Sequence, residues 1–137
     1  MKETIRALTE CFGPSGHESA VRELIISELP RGMEARTDPL GSLIVHRKGG
    51  AGGRRIMLAA HMDEIGIVVT HIDQKGFVRF GGVGGVRLLP LAGARVRFAN
   101  GAIGVIGLEK VDDAWRIPAM DKFYIDVGAR GPADCPV

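Results

Sequence analysis

The residues best placed for chemistry are His61 and Asp63, in the segment Ala60-His61-Met62-Asp63-Glu64. Because these two residues are two positions apart, their side chains face the same way when the chain is extended. A carboxylate beside an imidazole can hold one ring nitrogen and leave the other nitrogen free for a metal ion. The spacing therefore predicts His61 as a metal ligand and Asp63 as the group that orients it. A hydrogen-bonded histidine with a purely structural role is the alternative.

Other groups that could do chemistry are predicted to be structural or solvated. They are His17, His46, His71, Asp112, Asp113, Asp121 and the thiol of Cys11. A cation is unfavourable in the first turn of a helix. His46 and His71 fall within predicted strands and are interpreted as structural, and the aspartates lie in or beside turns. A catalytic zinc ion needs three protein ligands, and no histidine follows His71. By its own residues, the chain is therefore predicted to hold only part of a metal site.

Two helices are predicted to precede this segment. The first covers about residues 2–12, and Gly13-Pro14 ends it. Ser15-Gly16-His17-Glu18 is typical of a capping box, in which the Ser15 hydroxyl accepts from the Glu18 amide while the Glu18 carboxylate reaches back. Apolar residues at helical spacing then predict a second helix that ends at Pro30: Val21, Leu24, Ile25 and Leu29.

Short β-branched runs separated by Gly, Asp and Pro predict strands over the rest of the chain. They cover residues 33–37, 43–47, 56–60, 65–72, 77–81, 94–98, 102–108 and 123–127. Residues 73–76 and Asn100-Gly101 are hairpin signals, whereas the glycines at 81–85 lack the Lys-Ser/Thr and helix of a phosphate loop. Residues 56–60 are apolar on both faces, which is typical of a central strand covered by helices on both sides. His61 and Asp63 would then follow its carboxyl end, where open α/β sheets bind ligands.

Composition excludes several functional classes. The 137 residues are 45% hydrophobic and 25% charged, which is typical of a globular protein. The net charge of +2 is too small to indicate a nucleic-acid-binding protein. No apolar run reaches the roughly 20 residues of a membrane helix, and no signal peptide is indicated. Two cysteines without CxxC spacing predict a reduced, cytoplasmic protein. Carbohydrate hydrolysis would need two carboxylates that flank a groove, and no such pair stands out.

Several segments match one known pattern in order and spacing. They are LTE at 8–10, FGPSGHE at 12–18, DPLGSLI at 38–44, MLAAHMDEIG at 57–66, VTHID at 69–73 with KGF at 75–77, GVIG at 104–107 and YIDVGA at 124–129. Together they resemble the N-terminal part of the tetrahedral, glutamyl and deblocking aminopeptidases, family forty-two of the metallopeptidases. The resemblance covers essentially the whole chain.

The resemblance implies an enzyme that uses two divalent metal ions, zinc or cobalt, to remove N-terminal residues from peptides. His61 matches the first metal-binding histidine of the family, and Asp63 matches the catalytic acidic residue that holds it. Family members are more than twice this length, so the other ligands are expected downstream, and the chain alone is expected to be inactive and to bind zinc weakly.

The same resemblance implies an α/β fold in two parts. Residues 1–67 would be the N-terminal portion of a layered α/β catalytic domain, and residues 68–137 a partial all-β inserted domain of the dimerisation type. In the family, the inserted domain forms dimers that assemble further into dodecamers, so a homo-oligomer is expected. The alternative function is a non-catalytic β-rich assembly module with no activity of its own.

Overall fold

The computed structural model describes residues 1–111 and 117–137, which form helices and antiparallel sheets. The regular elements are α1 (Lys2–Glu10), α2 (Ser19–Glu28), β1 (Glu34–Thr37), β2 (Leu43–His46), β3 (Gly66–Ile72), β4 (Val78–Val83), β5 (Arg95–Arg97), β6 (Ile103–Leu108) and β7 (Phe123–Asp126), with 3-10 turns at Met120–Lys122 and Pro132–Asp134. The chain divides into an N-terminal unit, Met1–Glu64, and a C-terminal unit, Ile65–Val137. No helix in the described ranges is long and apolar enough to cross a membrane.

The N-terminal unit contains both α-helices and the antiparallel hairpin of β1 and β2. Both helices and both strands of this hairpin confirm the predicted elements, and the strands begin and end within one residue of the predicted bounds. Asp38 forms the turn between the strands, because its carboxylate accepts from the amides of Leu40 and Ser42 at 3.0 and 2.8 Å. Val21 on α2 is only 5% exposed and is the buried hydrophobic residue of this unit.

The C-terminal unit is a five-stranded antiparallel sheet in the order β3-β4-β7-β6-β5. All five of its strands confirm the predicted ones to within two residues at either end. The period of two in each strand places alternate side chains on one face, where the buried residues are Val78, Phe80, Ile106, Phe123 and Ile125. The predicted turns also form, with positive φ at Gly76 and Gly101.

The predicted central strand at 56–60 is wrong for this structure. Residues 54–63 have no regular secondary structure, and the side chains of Ile56, Met57 and Leu58 are 83%, 88% and 93% exposed. A strand without a polar face is stable only between neighbouring strands and under covering helices. Within the described residues no strand pairs with this segment, which accounts for the missing strand.

The α/β character is therefore confirmed, whereas a layered parallel sheet is not seen in the N-terminal unit. The parallel pairing within the described residues is a single bridge between Pro14 and Glu64. This bridge connects the loop after α1 to the segment that carries His61 and Asp63, and it fixes the backbone of the candidate site.

Candidate functional site

His61 and Asp63 contact each other directly, as their spacing predicts. The His61 Nδ1 atom lies 2.8 Å from Asp63 Oδ1 and 3.0 Å from the Asp63 carbonyl oxygen. Because both oxygens can only accept, Nδ1 carries the proton and donates. In the neutral ring the other nitrogen, Nε2, then has the lone pair, and the His61 side chain is 85% exposed. Histidines that bind metal ions in other proteins usually donate from the second ring nitrogen to an oxygen in the same way.

Ser15 completes the contacts of the Asp63 carboxylate. The Ser15 hydroxyl donates to Asp63 Oδ2 at 2.5 Å across 48 positions of sequence. The predicted capping box is therefore wrong: α2 begins at Ser19, Glu18 is its N-cap, and no side chain caps this helix. The Glu18 carboxylate reaches back as predicted but accepts from the Gly16 amide, at 2.6 Å. Ser15 lies too far ahead of the first turn to cap it, so its hydroxyl is available to Asp63.

The backbone on either side of these side chains is also hydrogen-bonded. The Glu64 amide donates to the Gly13 carbonyl at 2.9 Å, and the Ser15 amide donates to the Glu64 carbonyl at 3.3 Å. The Gly13 amide donates to the Glu64 carboxylate at 3.2 Å. We call residues 13–15 the strap, because these bonds hold it against Asp63 and Glu64. A Cβ at Gly13 would overlap the Val21 Cγ2 atom, so the close approach requires glycine.

The hydrogen bonds at Asp63 favour its charged form. The Ser15 hydroxyl, and next the His61 ring, lower the pKa of the Asp63 carboxyl below its ordinary value. A carboxylate that accepts from two donors is stabilised as an anion. Asp63 therefore acts as an acceptor at neutral pH, which is the form that keeps the proton on Nδ1 of His61.

A cleft of about 310 Å³ lies beside the pair, within the N-terminal unit. Its walls include the apolar side chains of Leu8, Val21 and Ile25 and the segment 61–64. The half-buried Cys11 also lines it. The cleft combines an apolar wall with an oriented imidazole, an arrangement that suits a ligand with both an aliphatic and a polar end.

The donor set fits one ligand of a metal site and does not make a complete site. Within residues 1–111 and 117–137, no group of three or more His, Cys, Asp or Glu side chains could hold a metal ion. His17, His46 and His71 are exposed, and Asp121 is exposed in a 3-10 turn. Asp112 and Asp113 lie outside the described residues.

Sequence reasoning predicted the contact between His61 and Asp63 but missed the strap. The Ser15 contact spans 48 positions and the Gly13–Glu64 contact spans 51, and no periodic pattern indicates a pairing of that range. The only local signal was a glycine and a proline after α1, which also mark an ordinary helix end.

The chain is similar in sequence and in fold to known proteins. The family model described as M42 glutamyl aminopeptidase matches residues 41–135. The chain is 44% identical over 131 residues to a protein of Acetivibrio thermocellus assigned as an aminopeptidase, covering 95% of this chain and 39% of that relative. It is similar to the solved structure of an aminopeptidase from the archaeon Desulfurococcus kamchatkensis, with a TM-score of 0.85, 37% identity, and coverage of 96% of this chain and 38% of the other.

A second solved structure is the TET1 peptidase of Pyrococcus horikoshii, which can assemble into a tetrahedron or a large octahedral shell. The TM-score is 0.80 with 34% identity, over 95% of this chain and 41% of that one. The chain thus spans about two fifths of the length of the relatives it matches. With the family model matching residues 41–135, the chain belongs to the M42 glutamyl aminopeptidase family, a family of metallopeptidases.

Proposed function

We propose that the full-length protein is a metal-dependent aminopeptidase that removes N-terminal residues from peptides, and that this chain supplies His61 as one metal ligand. The observation that carries the proposal is the pair of acceptors on Nδ1 of His61, which leaves Nε2 free and exposed. Family membership supports the same chemistry. The relatives named as aminopeptidases support peptide substrates.

Each residue of the pair would have a distinct role. His61 Nε2 would bind a divalent ion, and Asp63 would hold the ring in the tautomer and orientation that binding needs. Two divalent ions of this kind, zinc or cobalt, would supply Lewis-acid chemistry for hydrolysis when bound. Because a catalytic zinc needs three protein ligands and no group of three is present in the described residues, we expect the 137-residue chain alone to be inactive.

We also propose roles for the two parts of the chain. Residues 1–67 would be the N-terminal part of the catalytic domain, and residues 68–137 would belong to an inserted β domain. The division of the chain after Glu64 supports a boundary in this region. The site residues all precede that boundary.

The test is to read the coding DNA beyond residue 137 and to assay the complete product on aminoacyl anilides. We expect the frame to continue into paired glutamates and a late histidine. Activity should be lost on chelation and restored by Zn²⁺ or Co²⁺. His61→Ala should lower activity roughly a hundredfold or more, since the loss of an outer partner alone costs 10- to 100-fold.

His46→Ala is the matched control, because His46 is also exposed and lies in the N-terminal unit. We expect it to retain full activity. A complete, metal-loaded product that cleaves no aminoacyl anilide would contradict the proposal. Hydrolysis by the pure 137-residue chain would contradict the expectation that this part is inactive.

A second function, assembly, is favoured by the surface of the C-terminal unit. β3 and β5 form the two edges of the described sheet, and Val68 and Val69 on β3 are 54% and 40% exposed. Exposed apolar edge strands are templates for pairing with another chain. Light scattering of the purified chain tests this, with a dimer or larger species expected and a monodisperse monomer as the contrary result.

A further inference from the structure

We propose that Ser15 is a positioning residue for His61: its hydroxyl holds one oxygen of Asp63, so that the other oxygen is aimed at Nδ1. The inference rests on the proposed role of His61 as a metal ligand. The three groups form one continuous chain of hydrogen bonds, from Ser15 Oγ to Asp63 Oδ2 at 2.5 Å and from Asp63 Oδ1 to His61 Nδ1 at 2.8 Å.

The first step of the argument concerns the freedom of the Asp63 carboxylate. The terminal torsion of an aspartate is broad, so one hydrogen bond to His61 leaves the plane of the carboxylate poorly determined. A second bond on the opposite oxygen fixes that plane. The Ser15 bond has the short distance typical of a hydroxyl donating to a carboxylate, which is among the stronger hydrogen bonds in proteins.

The second step concerns Ser15 itself, whose position is set by its backbone. The Ser15 amide donates to the Glu64 carbonyl at 3.3 Å, and the neighbouring Gly13 carbonyl accepts from the Glu64 amide at 2.9 Å. The hydroxyl therefore sits on backbone that is bonded to the same segment as its acceptor. A group held in this way loses little further freedom when it makes its bond.

The third step concerns what the strap adds to His61. The His61 side chain is 85% exposed, so packing does not hold the ring. Asp63 is only 37% exposed and is anchored from behind by Ser15. The orientation of an exposed ring is thus supplied by a hydrogen-bonded partner that is itself partly buried.

The experiment measures the tautomer of His61 directly, by long-range ¹H–¹⁵N NMR on the metal-free chain. The pH is set to about 8.5, above the usual titration range of imidazole near 6.5. In the wild-type chain we expect the Nδ1–H tautomer to predominate. In Ser15→Ala we expect the ratio of Nδ1–H to Nε2–H to fall about fivefold, the equivalent of one ordinary hydrogen bond.

Ser15→Thr keeps a hydroxyl and should restore the wild-type ratio. Ser27→Ala is the matched control, because the Ser27 hydroxyl bonds only locally, to the Leu24 carbonyl at 2.7 Å. It should leave His61 unchanged. If Ser15→Ala does not fold, Ser15→Cys, which has a similar size and a weak donor, takes its place. A Zn²⁺ titration of the His61 signals should show weaker binding in Ser15→Ala, by at most about fivefold, because the ion binds the Nδ1–H tautomer whose ratio falls by that factor.

Three results would overturn the inference. They are a wild-type His61 in the Nε2–H form, a folded Ser15→Ala chain with an unchanged tautomer ratio, and a Ser15→Thr chain that behaves like Ser15→Ala. None of these readouts needs hydrolysis. An inactive full-length enzyme would therefore refute the proposed function while the positioning role of Ser15 could still hold.

Discussion

Gly13→Ala should destabilise the N-terminal unit because the new methyl group would meet the side chain of Val21. The substitution Val21→Ala removes that contact, so the two effects can be tested together. An added Cβ would overlap Val21 Cγ2, whereas the next closest atoms, Val21 Cβ and the Met62 carbonyl oxygen, would lie at 3.5 and 3.8 Å. These longer distances are ordinary van der Waals contacts. Gly13 has no positive φ, so the backbone itself accepts alanine.

The magnitudes follow from burial and overpacking. An extra methyl group in a packed site costs about 2 kcal/mol of the free energy of unfolding, since forced shifts cost roughly 1–3 kcal/mol. Val21 is 5% exposed. Val21→Ala removes two buried carbons, which costs about 2 kcal/mol once a small cavity is included. Independent effects would add to about 4 kcal/mol in the double variant.

The double variant should instead be about as stable as Val21→Ala alone. Without Cγ2 the new methyl group has room, and it partly fills the space that valine left. The expected coupling is therefore about 2 kcal/mol, within the range measured for residues in contact. Gly49→Ala is the control, because nothing lies within 4 Å of a Cβ there, and its effect should stay within about 0.5 kcal/mol.

The stabilities of the wild-type chain and the four variants are measured by urea unfolding, followed by the helical circular dichroism signal. This signal reports the N-terminal unit, because the α-helices of the described residues, α1 and α2, both lie within Met1–Glu64. Additive effects, with the double variant about 4 kcal/mol below wild type, would refute the steric reasoning. The glycine would then be required for some reason other than its contact with Val21.

Two further predictions concern the C-terminal unit. Gly76 and Gly101 both have positive φ, at 85° and 88°, but a Cβ at Gly76 would lie 2.7 Å from the Ala129 carbonyl oxygen, whereas a Cβ at Gly101 would meet open space. In urea unfolding, Gly101→Ala should lower the free energy of unfolding by about 1 kcal/mol, and Gly76→Ala by roughly 1–3 kcal/mol more. Equal losses in the two variants would contradict this prediction. Burial favours a raised pKa at Asp73, but hydrogen bonds from Arg79 and nearby amides outweigh it and lower the pKa. The stabilising contribution of Asp73 is therefore present above its unfolded pKa of about 3.9 and lost as the pH falls through the lower folded value. Asp73→Asn should therefore reduce the dependence of the free energy of unfolding on pH on the acid side. An unchanged slope of that free energy against pH would contradict the prediction.

The sequence alone determined those features that depend on local periodicity. Short runs rich in Val, Ile and Leu located all five strands of the C-terminal sheet, because β-branched residues favour strands and the Gly, Asp and Pro between the runs favour turns. Glycine and asparagine located the turns for the same kind of local reason. The spacing of His61 and Asp63 likewise predicted their contact, since residues two apart in extended chain share a face.

The tertiary structure alone decided the partners that are distant in sequence. Ser15 had the pattern of a helix cap, yet its hydroxyl bonds Asp63 because the fold brings residues 48 positions apart into contact. Residues 56–60 had the composition of a buried strand, yet Ile56, Met57 and Leu58 are exposed because no described strand pairs with them. Periodicity reports which face of an element is apolar, whereas the identity of its partner depends on contacts that only the folded chain creates.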